Sequence, residues 1–352
     1  MKKIIATILT AALVTMPTCS SALSGIDPRT SSSPFGVLTF LSWNHDWNNH
    51  AYSQEKLETA VRLMAESGVG IVRMDFLWDD IEPAPDRWDF AKYDHIVELL
   101  SKNNIKILGL LSYNAVWAAE YWNSAPNNFL FTKYARAVVD RYKDRVKYWE
   151  IWNEPDDATY WREQDGMKAY TKLLTSVYPA IKEADPTAVV LMGGVSKSIA
   201  PSLRSIYRYG GKDSFDAVNF HPFVNPKLPD AQNNFRGIHT GVLKTMEEFG
   251  DSKKPIWITE VGCPGLKQGE GQGWWMGKAP TEEEQAVWVK KVYNEALRLP
   301  NVEKVFWAFF QDTPNYFKNA VDYFGLIRVD FTKKPAFEIY RRMIQSARQS
   351  EG

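Results

Sequence analysis

Short apolar runs alternate with longer amphipathic stretches from Phe35 to the end of the chain, and eight such runs can be counted. They are FGVLTFLSW (35–43), GIVRMDF (70–76), IKILGLLS (105–112), VKYWEIW (146–152), AVVLMGG (188–194), FDAVNF (215–220), PIWITE (255–260) and VEKVFWAFF (302–310). Each run is apolar throughout rather than alternating, as expected of strands buried on both faces. Successive runs end 26 to 50 residues apart, which is room for one helix and its loops each time.

The intervening stretches carry helix signals. Ser53 is placed to cap a helix whose Leu57, Val61 and Met64 share a face and which Gly68 closes. Thr281 opens TEEEQAVWVKKVYNEAL, with Glu284 as capping-box partner and three acids at the positive end of the helix dipole. Eightfold alternation of strand and helix predicts an α/β protein, a closed (β/α)8 TIM barrel in a single domain over residues 35–349. An open doubly wound sheet is the competing layout. It calls for a glycine-rich phosphate turn after the first strand, where SWNHDWNNH stands instead.

The N-terminus departs from this pattern. Lys2 and Lys3 precede an apolar segment (4–14) too short to span a bilayer, and Ser20, Ser21 and Ala22 offer small residues for cleavage. Residues 1–22 therefore read as a signal peptide and 23–34 as a polar linker, which predicts a secreted or periplasmic protein. A lipoprotein anchored through Cys19 is disfavoured, because Met16, Pro17 and Thr18 suit lipoprotein processing poorly. Cleavage leaves only Cys263, expected as a small buried residue, so no internal disulfide supports the fold.

Composition narrows the partners. Lys plus Arg equals Asp plus Glu at 42 each, and this zero balance argues against nucleic acid and anionic lipid. The chain carries 14 Trp and 16 Tyr, several in loop-like contexts suited to stacking on sugar faces. Five histidines, with His45 and His50 five apart, form no metal-ligand set of the usual spacing, so neither metal nor other cofactor is expected.

In a parallel barrel the C-terminal strand ends converge on one face and carry the chemistry. Glu154 lies just past the fourth run, in YWEIWNEPDD, and Glu260 ends the seventh, in WITEVG. Two carboxylates on one barrel face are what glycosidic cleavage needs: one protonates the leaving oxygen, the other attacks or activates water. IWNEP and ITEVG resemble the acid/base and nucleophile signatures of clan A glycoside hydrolases, and RMDFLWDDIEP (73–83) resembles the second-strand segment of glycoside hydrolase family 39 and its relatives. The likeness covers essentially residues 35–345. It implies a retaining mechanism with Glu154 as acid/base and Glu260 as nucleophile.

The remaining candidates follow. Arg73, inside an apolar strand, needs a buried anion: Glu260, or structurally Asp75 or Glu150. Pro155 excludes ordinary helical geometry at Glu154. By the resemblance, Asn153 grips the sugar 2-hydroxyl and Trp307 forms a floor under the sugar at the cleavage point. His221, ending the sixth strand, can bond the nucleophile or a sugar hydroxyl. Where clan members often place a Tyr beside the nucleophile this chain has Phe223, so the Tyr role is either taken from elsewhere, with Tyr113 on offer, or absent, and the third-strand His of some relatives is missing. Both departures lean toward family 39 or an outlying group over the cellulase-type families.

Exo-acting family 39 xylosidases carry an extra β-sandwich, whereas this chain stops near Arg348. Trp43, Trp47, Trp78, Trp117, Trp122, Trp274 and Trp275 lie in strand-end loops, and the loop GLKQGEGQGWWMGKAP (265–280) is expected to flank a cleft. Glu120, Asp156 and Asp157 are candidates for contacts to sugar substituents. The expected activity is therefore a retaining endo-β-glycosidase on an extracellular polysaccharide or oligosaccharide, acting as a monomer without membrane span. The alternatives are an exo-acting β-xylosidase-like enzyme and, in another class, a non-catalytic glycan-binding barrel, whose signature would be loss of one glutamate.

Overall fold

The structure is a computed structural model that describes residues 33–45, 53–267, 279–313 and 315–351. The expected signal peptide, most of the linker, Trp47, His50, Trp274, Trp275 and most of the 265–280 loop lie outside the described residues.

All eight predicted runs hold a strand: β1 Phe35–Leu38, β2 Ile71–Leu77, β3 Lys106–Ser112, β4 Tyr148–Ile151, β5 Val189–Met192, β6 Val218–Asn219, β7 Ile256–Val261 and β8 Val302–Trp307. Every ladder between them is parallel, in the order β5-β4-β3-β2-β1-β8-β7-β6. Isolated parallel bridges Leu191–Ala217 and Val195–Phe220 join β5 to the short β6 and bring the two ends of that order together. The result is the (β/α)8 barrel.

The helices are α1 Gln54–Ser67, α2 Trp78–Ile81, α3 Ala91–Lys102, α4 Asn128–Tyr142, α5 Gly166–Ala184, α6 Ile199–Arg208, α7 Ala231–Glu248, α8 Glu282–Ala296 and α9 Pro335–Glu351. The caps read from sequence are present. The Ser53 side chain accepts from Lys56 N, Gly68 ends α1 at φ 82°, and Thr281 and Glu284 complete a reciprocal capping box on α8. Among the described residues no helix is long and apolar enough to cross a membrane.

Alternation along the strands sorts the side chains into two cores. Ile71, Leu108, Tyr148, Leu191, Ala217, Trp257 and Phe306 fill the bottom of the barrel. At the β1 position of this layer stands Gly36, and the reason is steric: a Cβ there would come within 2.4 Å of the Phe306 ring. The neighbouring strand positions face the helices and join the larger core. Cys263 is a free, fully buried residue of that core.

Above the apolar floor the barrel turns polar. Arg73, Glu150, Asn219 and Thr259 are all buried at 0–2% exposure, one each from β2, β4, β6 and β7. A charged layer this dry persists only when its members satisfy one another, and its upper side is the site.

Candidate active site

The carboxylates arrive by two different backbone devices. After β4 the chain enters the left-handed region twice, at Trp152 (φ 67°) and Glu154 (φ 43°). Pro155 does disfavour the right-handed helical region for Glu154, but the residue is left-handed rather than extended, a conformation costing about 1–3 kcal/mol per residue. Glu154 N donates to Gly194 O at 3.1 Å and Trp152 N to Leu111 O at 3.0 Å, which hold the turn. On β7 the device is a bulge. Ile258 pairs with Val305 and Val261 with Trp307, so Thr259 and Glu260 together oppose the single residue Phe306. A bulge of this kind re-aims a side chain, and here both residues reach the buried polar network.

One carboxylate oxygen of Glu154, one of Glu260 and a ring nitrogen of His221 all lie within 4.8 Å of one another. That separation matches the carboxyl spacing of about 5–5.5 Å that double displacement uses, and falls short of the about 6.5–9.5 Å that leaves room for a water on the far face. These three residues are also the group, among those described, whose spacing could hold a metal ion. The Arg73 guanidinium, 2.7 Å from Glu260 Oε1, already places a cation against that carboxylate.

Arg73 settles both alternatives for its partner at once. Nε and Nη2 grip Glu150 at 2.6 and 3.0 Å, Nη1 reaches Glu260 at 2.7 Å, and Nη2 also donates to Asn153 Oδ1 at 2.8 Å. The last contact fixes the amide of Asn153, leaving its Nδ2 for the Tyr113 hydroxyl and the cavity. His221 bonds Glu154 rather than Glu260: Nδ1 is 2.7 Å from Glu154 Oε1 and 3.8 Å from Glu260 Oε1. Its ring lies flat against Gly194, where a Cβ would sit 2.1 Å from Nε2.

Burial raises the pKa of both glutamates, and their neighbours separate them. For Glu154, Asp157 and Asp156 add to burial and push it up to about 8. Glu260 is also pushed up by burial, but His221, when protonated, and Arg73 pull it back against Glu154 and Glu150. Only Glu260 touches the guanidinium, so Glu260 is the carboxyl that ionises first. His221 is driven down, by burial above all, and favours its neutral form.

The cavity over these groups measures about 830 Å³. Arg73, Asn153, Glu154, Glu260, Trp43, Tyr113, Trp122, Asp157 and Phe223 line it. Trp307 does not: it is fully buried, with its indole N–H on Phe324 O at 2.8 Å. The reason is strand parity, since Phe306 faces the barrel interior and Trp307 therefore faces the helices; Phe309 lies beyond the end of β8, where the alternation no longer holds, and lines the cavity instead. Trp117 is likewise absent from the lining, edge-on to Trp78 with its N–H on Glu82 O at 2.6 Å. Trp78 is fully buried, and both oxygens of Asp156 accept N–H groups of Ser196, Lys197 and Ser198, organising a loop rather than facing the cavity.

Among the lining residues, Tyr160 and Tyr316 were not singled out from the sequence, and Asp75 was named only as a structural partner for Arg73. Tyr160, whose hydroxyl is raised first by burial and then by the charges of Glu154 and Glu260, stands closer to the pair's influence than its loop position (155–165) signals. Tyr316 packs on Trp43 at 4.9 Å. Asp75, buried, accepts from Trp43 Nε1 and Ser112 Oγ, each at 3.0 Å; its place two residues past Arg73 on β2 was the available clue.

Two strand-end glutamates this close on one face of a (β/α)8 barrel, one of them against a fixed guanidinium, are the arrangement that retaining glycoside hydrolases use. Residues 31–312 match the cellulase model, glycosyl hydrolase family 5, and the chain belongs to that family. Endo-1,4-beta-xylanase B of Thermotoga neapolitana is 23% identical over 295 residues, covering 76% of this chain and 78% of that protein. Among solved structures, a family 39 glycoside hydrolase from Bacteroides cellulosilyticus WH2 superposes with a TM-score of 0.67 at 24% identity, covering 88% of this chain and 63% of that one. The family 39 enzyme from Xanthomonas axonopodis pv. citri gives 0.68 at 18% identity, with 88% and 65% covered. The chain thus spans a little under two thirds of those two structures. The lean toward family 39 holds for the fold, while the sequence model is that of family 5.

Proposed function

We propose that the protein cleaves β-glycosides by double displacement and removes sugars from chain ends, in the manner of a β-xylosidase. Glu154 gives its proton to the glycosidic oxygen as the C1–O bond breaks and Glu260 bonds to C1. Glu154 then takes a proton from water as the water oxygen bonds to C1 and Glu260 departs. Arg73 keeps Glu260 ionised and aimed, and Asn153 offers its amide to the sugar.

The observation that carries the end-cutting reading is an aromatic wall. The leaving group must lie on the Glu154 side, so the sugar that is bound covalently extends the other way, toward β8 and β1. There Trp43 packs on Phe40 at 4.1 Å and Tyr316 at 4.9 Å, and Phe309 packs on Phe40 at 4.7 Å and Phe317 at 5.7 Å. All five of these rings line the cavity on that side. A monomeric β-xylosidase from Caulobacter crescentus CB15 and an exo-β-1,4-mannosidase from an Opitutaceae bacterium share the fold, with TM-scores of 0.64 and 0.66, which agrees with this reading.

Attack within a polymer is the second reading, favoured by the likeness to the Thermotoga xylanase and by Trp122, 49% exposed at the cavity rim. Product sizing decides between them. Release of monosaccharide from short oligosaccharides and aryl β-glycosides with unchanged polymer viscosity supports end-cutting; an early fall in viscosity supports internal cleavage. The N-terminal segment supports an exported enzyme, whose substrate is then an extracellular or periplasmic glycan.

A further inference from the structure

The polar layer beneath the glutamates has a direction. Arg73 can only donate, and Glu150 accepts from its Nε and Nη2 and from Gly194 N at 3.1 Å. Glu150 Oε1 also takes Asn219 Nδ2 at 2.9 Å, so the Asn219 oxygen points the other way. The backbone N–H of Thr259, 3.4 Å from that oxygen, independently requires an acceptor there. At 2.8 Å from the same oxygen, the Thr259 hydroxyl must give its one proton to Asn219. Its lone pair is then left for His221 Nε2 at 2.9 Å, which must carry a hydrogen. A neutral His221 therefore presents a bare Nδ1 to Glu154 Oε1, 2.7 Å away.

We infer that Thr259 and Asn219 are positioning residues that fix the tautomer of His221 and thereby oblige Glu154 to hold the proton between them. This rests on the acid/base role proposed for Glu154. It also serves both half-reactions. Before cleavage the proton sits on the acid. After Glu154 has released it, a carboxylate oxygen faces a bare ring nitrogen, and that contact is relieved when Glu154 takes a proton from water.

The other groups facing Glu154 are Asp156, Asp157 and Tyr160 on its own loop, Lys197 from the loop after β5, Glu260 from β7 and Arg73 from β2 through Asn153. None of them is bonded to the Thr259 hydroxyl, so its removal isolates the relay.

Thr259→Val removes the acceptor for Nε2–H with little change of shape, and allows His221 to shift its hydrogen to Nδ1 and donate to Glu154. The alkaline limb of kcat/KM for a phenyl β-glycoside should move down by about one pH unit or more, and Thr259→Ser should keep the wild-type limb. Rates on a dinitrophenyl glycoside, whose departure needs no acid, should hold in both. An unmoved or raised limb in a folded Thr259→Val protein overturns the inference. Nitrogen-15 NMR of the wild-type histidines reads the tautomer without activity or substitution, and so tests the relay even if the variant does not fold or the enzyme cleaves no glycoside offered. Hydrogen on Nε2 of His221 at neutral pH supports it; hydrogen on Nδ1, or on both nitrogens, overturns it.

Discussion

Arg73 holds Glu150 with its Nε at 2.6 Å and Glu260 with its Nη1 at 2.7 Å, so one buried cation ties a structural carboxylate to a functional one. Removing the cation strands two buried anions. Arg73→Met should therefore lose about 3–5 kcal/mol of stability in urea unfolding. Adding Glu150→Gln should restore part of that loss, because one stranded charge is then gone.

Glu154 sets a pH dependence in both activity and stability. Its folded value near 8 lies above the ordinary carboxyl value of 4.5, so the folded state holds more protons than the unfolded chain between the two. Stability from this group is full below the ordinary value and is lost as pH rises through the folded one, at about 1.4 kcal/mol per pH unit. Glu154→Gln should remove that slope, and its advantage in urea midpoint over wild type should widen across the window. The kcat/KM of the wild type for poor leaving groups should fall above about pH 8, as the free enzyme's acid loses its proton.

Gly194 is where the barrel admits His221. A methyl group there would stand 2.1 Å from Nε2, so Gly194→Ala must push the imidazole off Glu154 or shift β5. Glycosidase activity should drop by about 10–100-fold or more as the acid loses its partner. A circular dichroism spectrum like that of the wild type would assign the loss to the site rather than to unfolding.

Trp122, half exposed on the Glu154 side of the cavity, packs edge-on against Tyr113 at 4.9 Å. It is placed to stack on the leaving group. Trp122→Ala should raise KM for oligosaccharides about 2–10-fold, the range expected for one aromatic contact, with kcat for small aryl glycosides little changed. Initial rates on a chain-length series check this.

The barrel was legible because parallel strands buried on both faces write themselves as continuous apolar runs, and because Ser53, Gly68, Thr281 and Glu284 mark their helix ends by local chemistry. Glu154 and Glu260 were legible as charges ending such runs. What the sequence hides is side-chain direction. Trp307 and Phe309 sit two apart in one aromatic run, and it is the end of β8 at Trp307 that lets Phe309 face the cavity while Trp307 faces the helices. The partner of His221 depended on the left-handed turn at Glu154 and the bulge at Thr259–Glu260, neither of which leaves a glycine or proline signature at the bulge itself. Tyr160 and Tyr316 reach the cavity from irregular loops, where no periodicity predicts a direction.

The central claim is that Glu260 becomes covalently bonded to the sugar while Glu154 handles the proton. Incubation with a 2-deoxy-2-fluoro-β-glycosyl fluoride, followed by intact-mass and peptide mass spectrometry, tests it directly. The account predicts one added fluorosugar on the peptide containing Glu260, formed even in Glu154→Gln, since fluoride leaves without an acid. A label on Glu154, or turnover of the same sugar series with inverted anomeric configuration, would contradict it.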